Sequence, residues 1–212
     1  MKFLKAYIFL SSILFSTFCK AQDDMPDTRR KTESFARFHY GNLRADLATF
    51  TLAGTSESVG ALPLQKINYS TLGNDSITFD GDGIKAKVKI APFDPAKHKL
   101  YYDDKYLIKI DRRPYYGDYG NVPKTYISEV SVIVNNNDTV FIPAIAYSDL
   151  YNLHFTYTGN GAERTTDAVY LSKDRNYIYL YLFCKNNSGS YEVTWIIQDG
   201  RYLRRVLDYG IM

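Results

Sequence analysis

The chain is 212 residues long, 45% hydrophobic and 23% charged, with a formal net charge of +3. That length supports one substantial domain or two small ones, and the balance of apolar and charged residues is that of a globular protein. The charge is too small to attract nucleic acid, and 20 tyrosines favour β structure and surface recognition over a helical bundle.

Residues 1–21 read as a secretory signal peptide. Lys2 and Lys5 form the charged start, Ala6 to Phe18 the apolar run, and Cys19-Lys20-Ala21 puts small residues at the two positions a signal peptidase reads. Cleavage is expected before Gln22, which would place the protein in the periplasm or outside the cell. The apolar run is too short to span a bilayer, and the mature chain offers no transmembrane segment. The competing reading is a lipidated Cys19, although Phe18 precedes it where a lipoprotein signal favours a small residue. The Lys20-Ala21-Gln22 ending resembles the leaders of secreted proteins of Gram-negative Bacteroidota, and the resemblance covers the leader alone. Loss of the leader removes Lys2, Lys5 and Lys20 and leaves 23 basic against 23 acidic residues. It also removes Cys19. Cys184 then stands alone on a predicted core face, so no internal disulfide forms and the fold must rest on its core.

Residues 22–43 predict a polar arm, crowded with Asp23, Asp24, Asp27, Arg29, Arg30, Lys31 and Glu33, whose end Phe35, Phe38 and Tyr40 tie down. A single β-rich domain is expected over 44–212, with a possible sub-boundary near Pro143. Leu47, Phe50 and Leu52, with β-branched Thr49 and Thr51, suggest a strand from Ala45 to Ala53. Ile67 and Tyr69 suggest a short one. From Asn74 to Pro92 a hairpin turns at Asp80-Gly81-Asp82-Gly83, after which Ile84, Ala86, Val88 and Ile90 alternate with Lys85, Lys87 and Lys89. The lysine row reads as a solvated face or a guarded edge. A second hairpin spans Leu100 to Ile110 around Asp103-Asp104. Tyr126–Val134 and Thr139–Ile142 pair across an Asn/Asp turn. Pro143 suits the first turn of a helix, which makes Ala144–Tyr151 the one expected helix. His154 to Tyr157 reads as another strand, and Gly159-Asn160-Gly161 as a flexible break.

From Ala168 to Tyr209 apolar and polar residues alternate, which predicts a four-stranded antiparallel meander. The Asp199-Gly200 turn sets Ile197 opposite Tyr202, Ile196 opposite Leu203, Trp195 opposite Arg204 and Val193 opposite Val206. The Asn186–Gly189 loop sets Cys184 opposite Tyr191, Leu182 opposite Val193, Leu180 opposite Trp195 and Ile178 opposite Ile197. The Lys173–Asn176 turn sets Leu171 opposite Ile178 and Val169 opposite Leu180. One face then collects Val169, Leu171, Ile178, Leu180, Leu182, Cys184, Val193, Trp195, Ile197 and Val206 as core. The other carries Tyr170, Tyr177, Tyr179, Tyr181, Phe183, Glu192, Thr194, Ile196, Leu203 and Arg205. Either the Pro143–Tyr151 helix covers these tyrosines, or they form a recognition surface.

Chemical motifs are sparse. His39, His98 and His154 are scattered, with no H-E-x-x-H, no C-x-x-C, no G-x-S-x-G elbow and no phosphate-cradling glycine loop. No catalytic residue, metal ligand or cofactor is therefore assigned. Asp80-Gly81-Asp82-Gly83 lacks the later carboxylate of a calcium loop and reads as a turn. The segment from Arg112 to Pro123 interleaves Tyr115, Tyr116 and Tyr119 with glycines beside Arg112 and Arg113, a composition suited to recognition loops. The expected fold is mainly β, an antiparallel two-layer, β-sandwich-like sheet assembly with the C-terminal meander and one short helix. The expected function is an exported, non-enzymatic binding protein for a protein partner of the inhibitor or immunity type. Its binding residues would be Arg112, Arg113, Tyr115, Tyr116, Tyr119, Tyr177, Tyr179 and Tyr181. A carbohydrate-binding or surface-glycan accessory module is the alternative, and a secreted hydrolase with a dispersed site the third reading.

Overall fold

The computed structural model describes residues 41–209 apart from 53, 55–57, 59 and 160. The leader, most of the polar arm and His39 lie outside the described residues. Two five-stranded antiparallel sheets face each other. The first runs β1 (Gln65–Ile67), β11 (Ala168–Leu171), β12 (Tyr177–Cys184), β13 (Tyr191–Gln198), β14 (Arg201–Tyr209). The second runs β2 (Tyr69–Leu72), β3 (Ser76–Gly81), β4 (Ile84–Pro92), β7 (Thr125–Val134), β8 (Asp138–Val140). The chain passes from one sheet to the other at Asn68, between β1 and β2. Two small hairpins stand apart: β5 (Leu100–Asp103) with β6 (Tyr106–Ile110), and β9 (Tyr157–Gly159) with β10 (Ala162–Arg164).

The main core lies between the two sheets. Ile77, Phe79, Ala86, Val88, Ile127 and Val132 of the second sheet meet Val169, Leu180, Leu182, Val193, Trp195 and Ile197 of the first. β11 through β14 form the meander expected from the alternation. The β11–β12 and β12–β13 registers match the turn-based ones pair for pair, including Leu180 opposite Trp195 and Cys184 opposite Tyr191. The residues Asp82 and Gly83 close the β3–β4 hairpin with φ of 53° and 76°, conformations that Asp and Gly tolerate. β4 is a central strand, paired with both β3 and β7. Its lysine row is therefore an outward sheet face and not a guarded edge.

Three expectations are corrected. The segment read as a strand from Ala45 is a helix, α1, Gly41–Phe50. Leu43, Leu47 and Phe50 recur at helical spacing, but a window opened at Ala45 omits Leu43 and leaves the alternation of Leu47, Thr49 and Thr51 to dominate. The helix expected over Ala144–Tyr151 is only a 3-10 turn, Ala144–Ala146. Beyond it the backbone is committed elsewhere: Asp149 O accepts from Tyr116 N at 2.8 Å and Tyr151 N donates to Tyr116 O at 2.9 Å. It is α1 and not this segment that covers the tyrosine face, where Leu43, Leu47 and Leu64 pack with Tyr179, Ile196 and Val206.

The third correction is in β14. A register shift between Ile196 and Ile197 places Arg204 opposite Ile196 and Arg205 opposite Trp195. Leu203 is the extra residue, and every later side chain changes face, as a single inserted residue requires. Val206 joins the α1 side and Leu207 the main core. Arg205, expected on the outer face, enters the inner one. There its guanidinium binds Asp149 through two hydrogen bonds of 2.5 and 3.0 Å and also donates to Ala146 O at 3.2 Å. Trp195 Nε1 donates to the same carbonyl at 2.9 Å.

Truncating one partner of a buried ion pair strands the other charge. Asp149→Ala is expected to cost about 3–5 kcal/mol in urea unfolding, whereas the paired change Asp149→Leu with Arg205→Met should cost less than Asp149→Ala alone. A second buried acid behaves differently. Asp167 accepts from Phe183 N at 2.8 Å through Oδ1, while its Oδ2 has no hydrogen-bond partner among the described residues. Burial, only partly opposed by that hydrogen bond, holds its pKa well above the ordinary carboxylate value. The folded state thus binds the proton more tightly than the unfolded state, so this group lowers stability as pH rises above about 4 until it ionises in the fold. Asp167→Asn is expected to gain on the wild type over that pH range, by about 1 kcal/mol or more near neutrality, in denaturation curves measured at a series of pH values.

Candidate functional site

The tyrosines of the C-terminal sheet are packed. Tyr179 and Tyr181 are fully buried, and Tyr177 is half-buried. Phe50 of α1 stacks on Tyr170 with ring centres 4.2 Å apart and meets Tyr179 and Tyr181 at 5.5 and 5.6 Å. The hydroxyls are used internally. Tyr179 donates to Asp46 Oδ2 at 2.7 Å, and Tyr181 donates to Glu192 Oε2 at 2.8 Å. That same oxygen accepts from Leu52 N at 2.8 Å, which fixes the end of α1. Burial raises both tyrosine pKa values, and the neighbouring carboxylates raise them further. Tyr179 and Tyr181 are cement between helix and sheet in this structure.

The Arg112–Pro123 loop is built around a hairpin turn that no glycine announces. Asp111 and Arg112 both take positive φ, 49° and 67°, and Ile110 and Arg113 exchange backbone hydrogen bonds of 3.0 and 2.9 Å. The Asp111 side chain braces the turn, accepting from Lys99 N at 2.8 Å and meeting His98 Nδ1 at 2.7 Å. The His98 hydrogen bond, then the Lys99 amide, hold the Asp111 carboxyl below its usual range. After the turn the chain runs back beside β6, where Leu107 N donates to Gly120 O at 2.9 Å.

Tyr115 and Tyr116 are buried, not presented. The Tyr115 hydroxyl accepts from Gly120 N at 3.0 Å and lies 3.1 Å from the carbonyl oxygens of both Leu107 and Asn121. One side chain thus ties Gly120 and Asn121 of the loop to Leu107 of β6. Tyr116 packs on Tyr209, and burial pushes its pKa up to about 12. Gly117 must be glycine on two counts: its φ is 105°, and a Cβ there would sit 2.2 Å from Tyr151 O. Asp118 accepts from the Ser188 hydroxyl and Tyr119 N donates to Ser188 O at 3.1 Å, which fastens the loop tip to the β12–β13 loop.

Exposed on this scaffold are Tyr119, at 64%, and two residues of the β5–β6 hairpin that the sequence reading did not select, Tyr102 and Tyr106, each at 49%. Tyr102 pairs with Leu107 and Tyr106 with Asp103, so the two leave opposite faces of the hairpin. Tyr102 and Tyr119 both bear on the Tyr115 hydroxyl, whose pKa is raised first by burial and then by Asp118 and these two neighbours. Tyr106 lies against Gly120, where a Cβ would come within 2.8 Å of its ring, and Lys105 Nζ sits 5.3 Å from its centre. Arg112 Nε donates to Tyr101 Oη at 3.3 Å and joins the same hairpin. Of the expected site residues, Arg112, Arg113 and Tyr119 are exposed on one small sheet, and Tyr115, Tyr116, Tyr179 and Tyr181 support it or α1 from within. Alternation around Asp103-Asp104 placed the hairpin correctly, but only tertiary pairing of Leu107 with Gly120 unites it with the loop.

Two of the three histidines line separate clefts. His98 borders one with Asp111, Arg113 and Asp149, and His154 another with Glu163 and Asn74. Among the described residues no three of His, Cys, Asp and Glu are placed to hold a metal ion, and no helix is long and apolar enough to cross a membrane. Cys184 is buried and donates to Asn152 O at 3.1 Å, and burial pushes its thiol pKa up to about 12, far from a reactive thiolate.

A scan of protein families and searches of curated proteins and of solved structures return no match for this chain. Tyr115→Phe would leave Gly120 N–H without its acceptor. The expected result is a loss of about 1–3 kcal/mol in urea unfolding, with faster amide exchange at Gly120.

Proposed function

We propose that the protein is an exported, non-enzymatic binding protein that recognises a protein partner, in the manner of an inhibitor or immunity protein, through the tyrosine surface of the β5–β6 hairpin and the Arg112–Pro123 loop. The observation that carries this reading is the contrast between rigid support and exposed rings. Tyr115, Gly117 and Asp118 pin the loop, and Tyr102, Tyr106 and Tyr119 are offered outward beside Arg112. Tyrosine supplies a large contact area with few rotors, and a pinned loop loses little entropy on binding. Export rests on the leader, with its Lys2 and Lys5 start and Cys19-Lys20-Ala21 end.

The glycan reading keeps one observation in its favour, the aromatic-walled cleft at the far end of the same loop. The hydrolase reading has less. The His98 hydrogen bond and the Lys99 amide favour the ionised form of Asp111, which suits it poorly to donate a proton, and both oxygens of Asp149 are bound by Arg205.

The test uses the chain recovered from periplasm or medium, with Gln22 as its N-terminus, as bait against secretome and envelope proteins of the producing cell. A partner captured by the wild type should be lost by the triple variant Tyr102→Ala, Tyr106→Ala, Tyr119→Ala. Each tyrosine at the centre of the contact is expected to contribute about 2 kcal/mol, a roughly 30-fold change in Kd. Unchanged binding by a folded triple variant rules out this surface.

A further inference from the structure

The cleft bordered by the Asp111 turn and the Ser148–Tyr151 segment has a volume of about 390 Å³, at the small end for ligand sites and suited to one ring. Phe93, Tyr126 and Tyr151 supply its apolar walls. Its polar groups are unequal. The Asp149 carboxylate, only 10% exposed, is held from behind by the buried Arg205 guanidinium. Asp111 is held by His98 and Lys99 N. Both carboxylates therefore have their positions fixed, and both keep lone pairs that accept from hydroxyl donors. Arg113 is the exception. Its guanidinium lines the same cleft with no ion pair or side-chain hydrogen bond among the described residues.

We infer that this cleft binds a monosaccharide-sized ring that carries a carboxylate, a sugar acid of the uronate type. The carboxylate pairs with Arg113, whose forked donors match it. The ring hydroxyls donate to Asp149 and Asp111 and exchange with the Ser148 hydroxyl. The apolar face of the ring lies on the aromatic walls. A bare inorganic anion fits poorly, because Asp111 and Asp149 share the cleft with Arg113. A purely aromatic acid leaves the fixed carboxylates without donors. The site is separate from the Tyr102, Tyr106 and Tyr119 surface and does not depend on whether that surface binds protein.

The test is a titration of the full mature chain, followed by NMR, with glucuronate, galacturonate and mannuronate, and with glucose, acetate and benzoate as controls. At least one uronate should saturate below roughly 10 mM and shift the signals of Tyr126, Tyr151 and His98, and each control should bind at least about tenfold more weakly. Arg113→Gln should abolish the preference for the uronate over glucose and change thermal unfolding little, because this exposed residue makes no ion pair or side-chain hydrogen bond among the described residues. The triple alanine variant of the tyrosine surface should bind the uronate as the wild type does. No saturation by any uronate overturns the inference. Equal binding of glucose or benzoate overturns it, as does an Arg113→Gln variant that keeps its preference.

Discussion

The bidentate contact between Arg205 and Asp149 joins the segment that carries the Arg112–Pro123 loop to the core of the protein. Arg205 projects from the edge strand of the C-terminal sheet into the interior, and Asp149 belongs to an irregular segment at the end of the sandwich. A charge is costly to bury, and it persists in the interior only when a partner meets it with good geometry. The bulge at Leu203 and the unwound path after Ala146 are the two backbone accommodations that let the partners meet. Trp195 and Arg205 then share the Ala146 carbonyl, so the largest apolar side chain of the core and its buried cation locate the same short turn.

From that point the order spreads outward by backbone pairing. Asp149 and Tyr151 bond to Tyr116, which seats the Arg112–Pro123 loop. Asn152 continues the stitching, its side chain accepting from Lys124 N at 2.7 Å and Thr125 N at 3.2 Å, and its carbonyl accepting from Cys184. The loop therefore rests on the sandwich through residues 149–152, and the β5–β6 hairpin rests on the loop through Tyr115. The exposed tyrosines sit at the end of this chain of supports. The cleft sits near its start, beside the ion pair itself.

The two aromatic groupings of the protein look alike in composition and differ in use. On the outer face of the C-terminal sheet, Tyr170, Tyr179 and Tyr181 meet Phe50, and the hydroxyls of Tyr179 and Tyr181 end on Asp46 and Glu192. That is how a tyrosine is buried without loss, its ring packed and its hydroxyl satisfied. Beside the β5–β6 hairpin, Tyr115 of the loop is treated this way, while Tyr102, Tyr106 and Tyr119 stay in solvent. Composition marks both stretches as tyrosine-rich. Coverage by α1 separates them, and α1 lies more than a hundred residues away in the chain.

Local chemistry was enough to determine the meander. The Asn186–Gly189 loop and the Lys173–Asn176 turn each set a register, Asp199-Gly200 set one only as far as Ile197 opposite Tyr202, and the inward residues of β11, β12 and β13 follow from period-two alternation. The β3–β4 and β5–β6 hairpins were legible for the same reason, since a turn and its flanking strands are neighbours in sequence. Tertiary structure alone decided what depends on distant partners. The face of Arg205 depends on Asp149, the cover on Tyr179 depends on Leu43 and Leu47, and the exposure of Tyr102 and Tyr106 depends on how Gly120 returns beside β6. The helix expected at Ala144 failed because its backbone groups had stronger claims on them from Tyr116, Trp195 and Arg205. A sequence shows which side chains alternate along a strand; only the assembled sheets decide which of those faces meets a helix, a counter-charge or water.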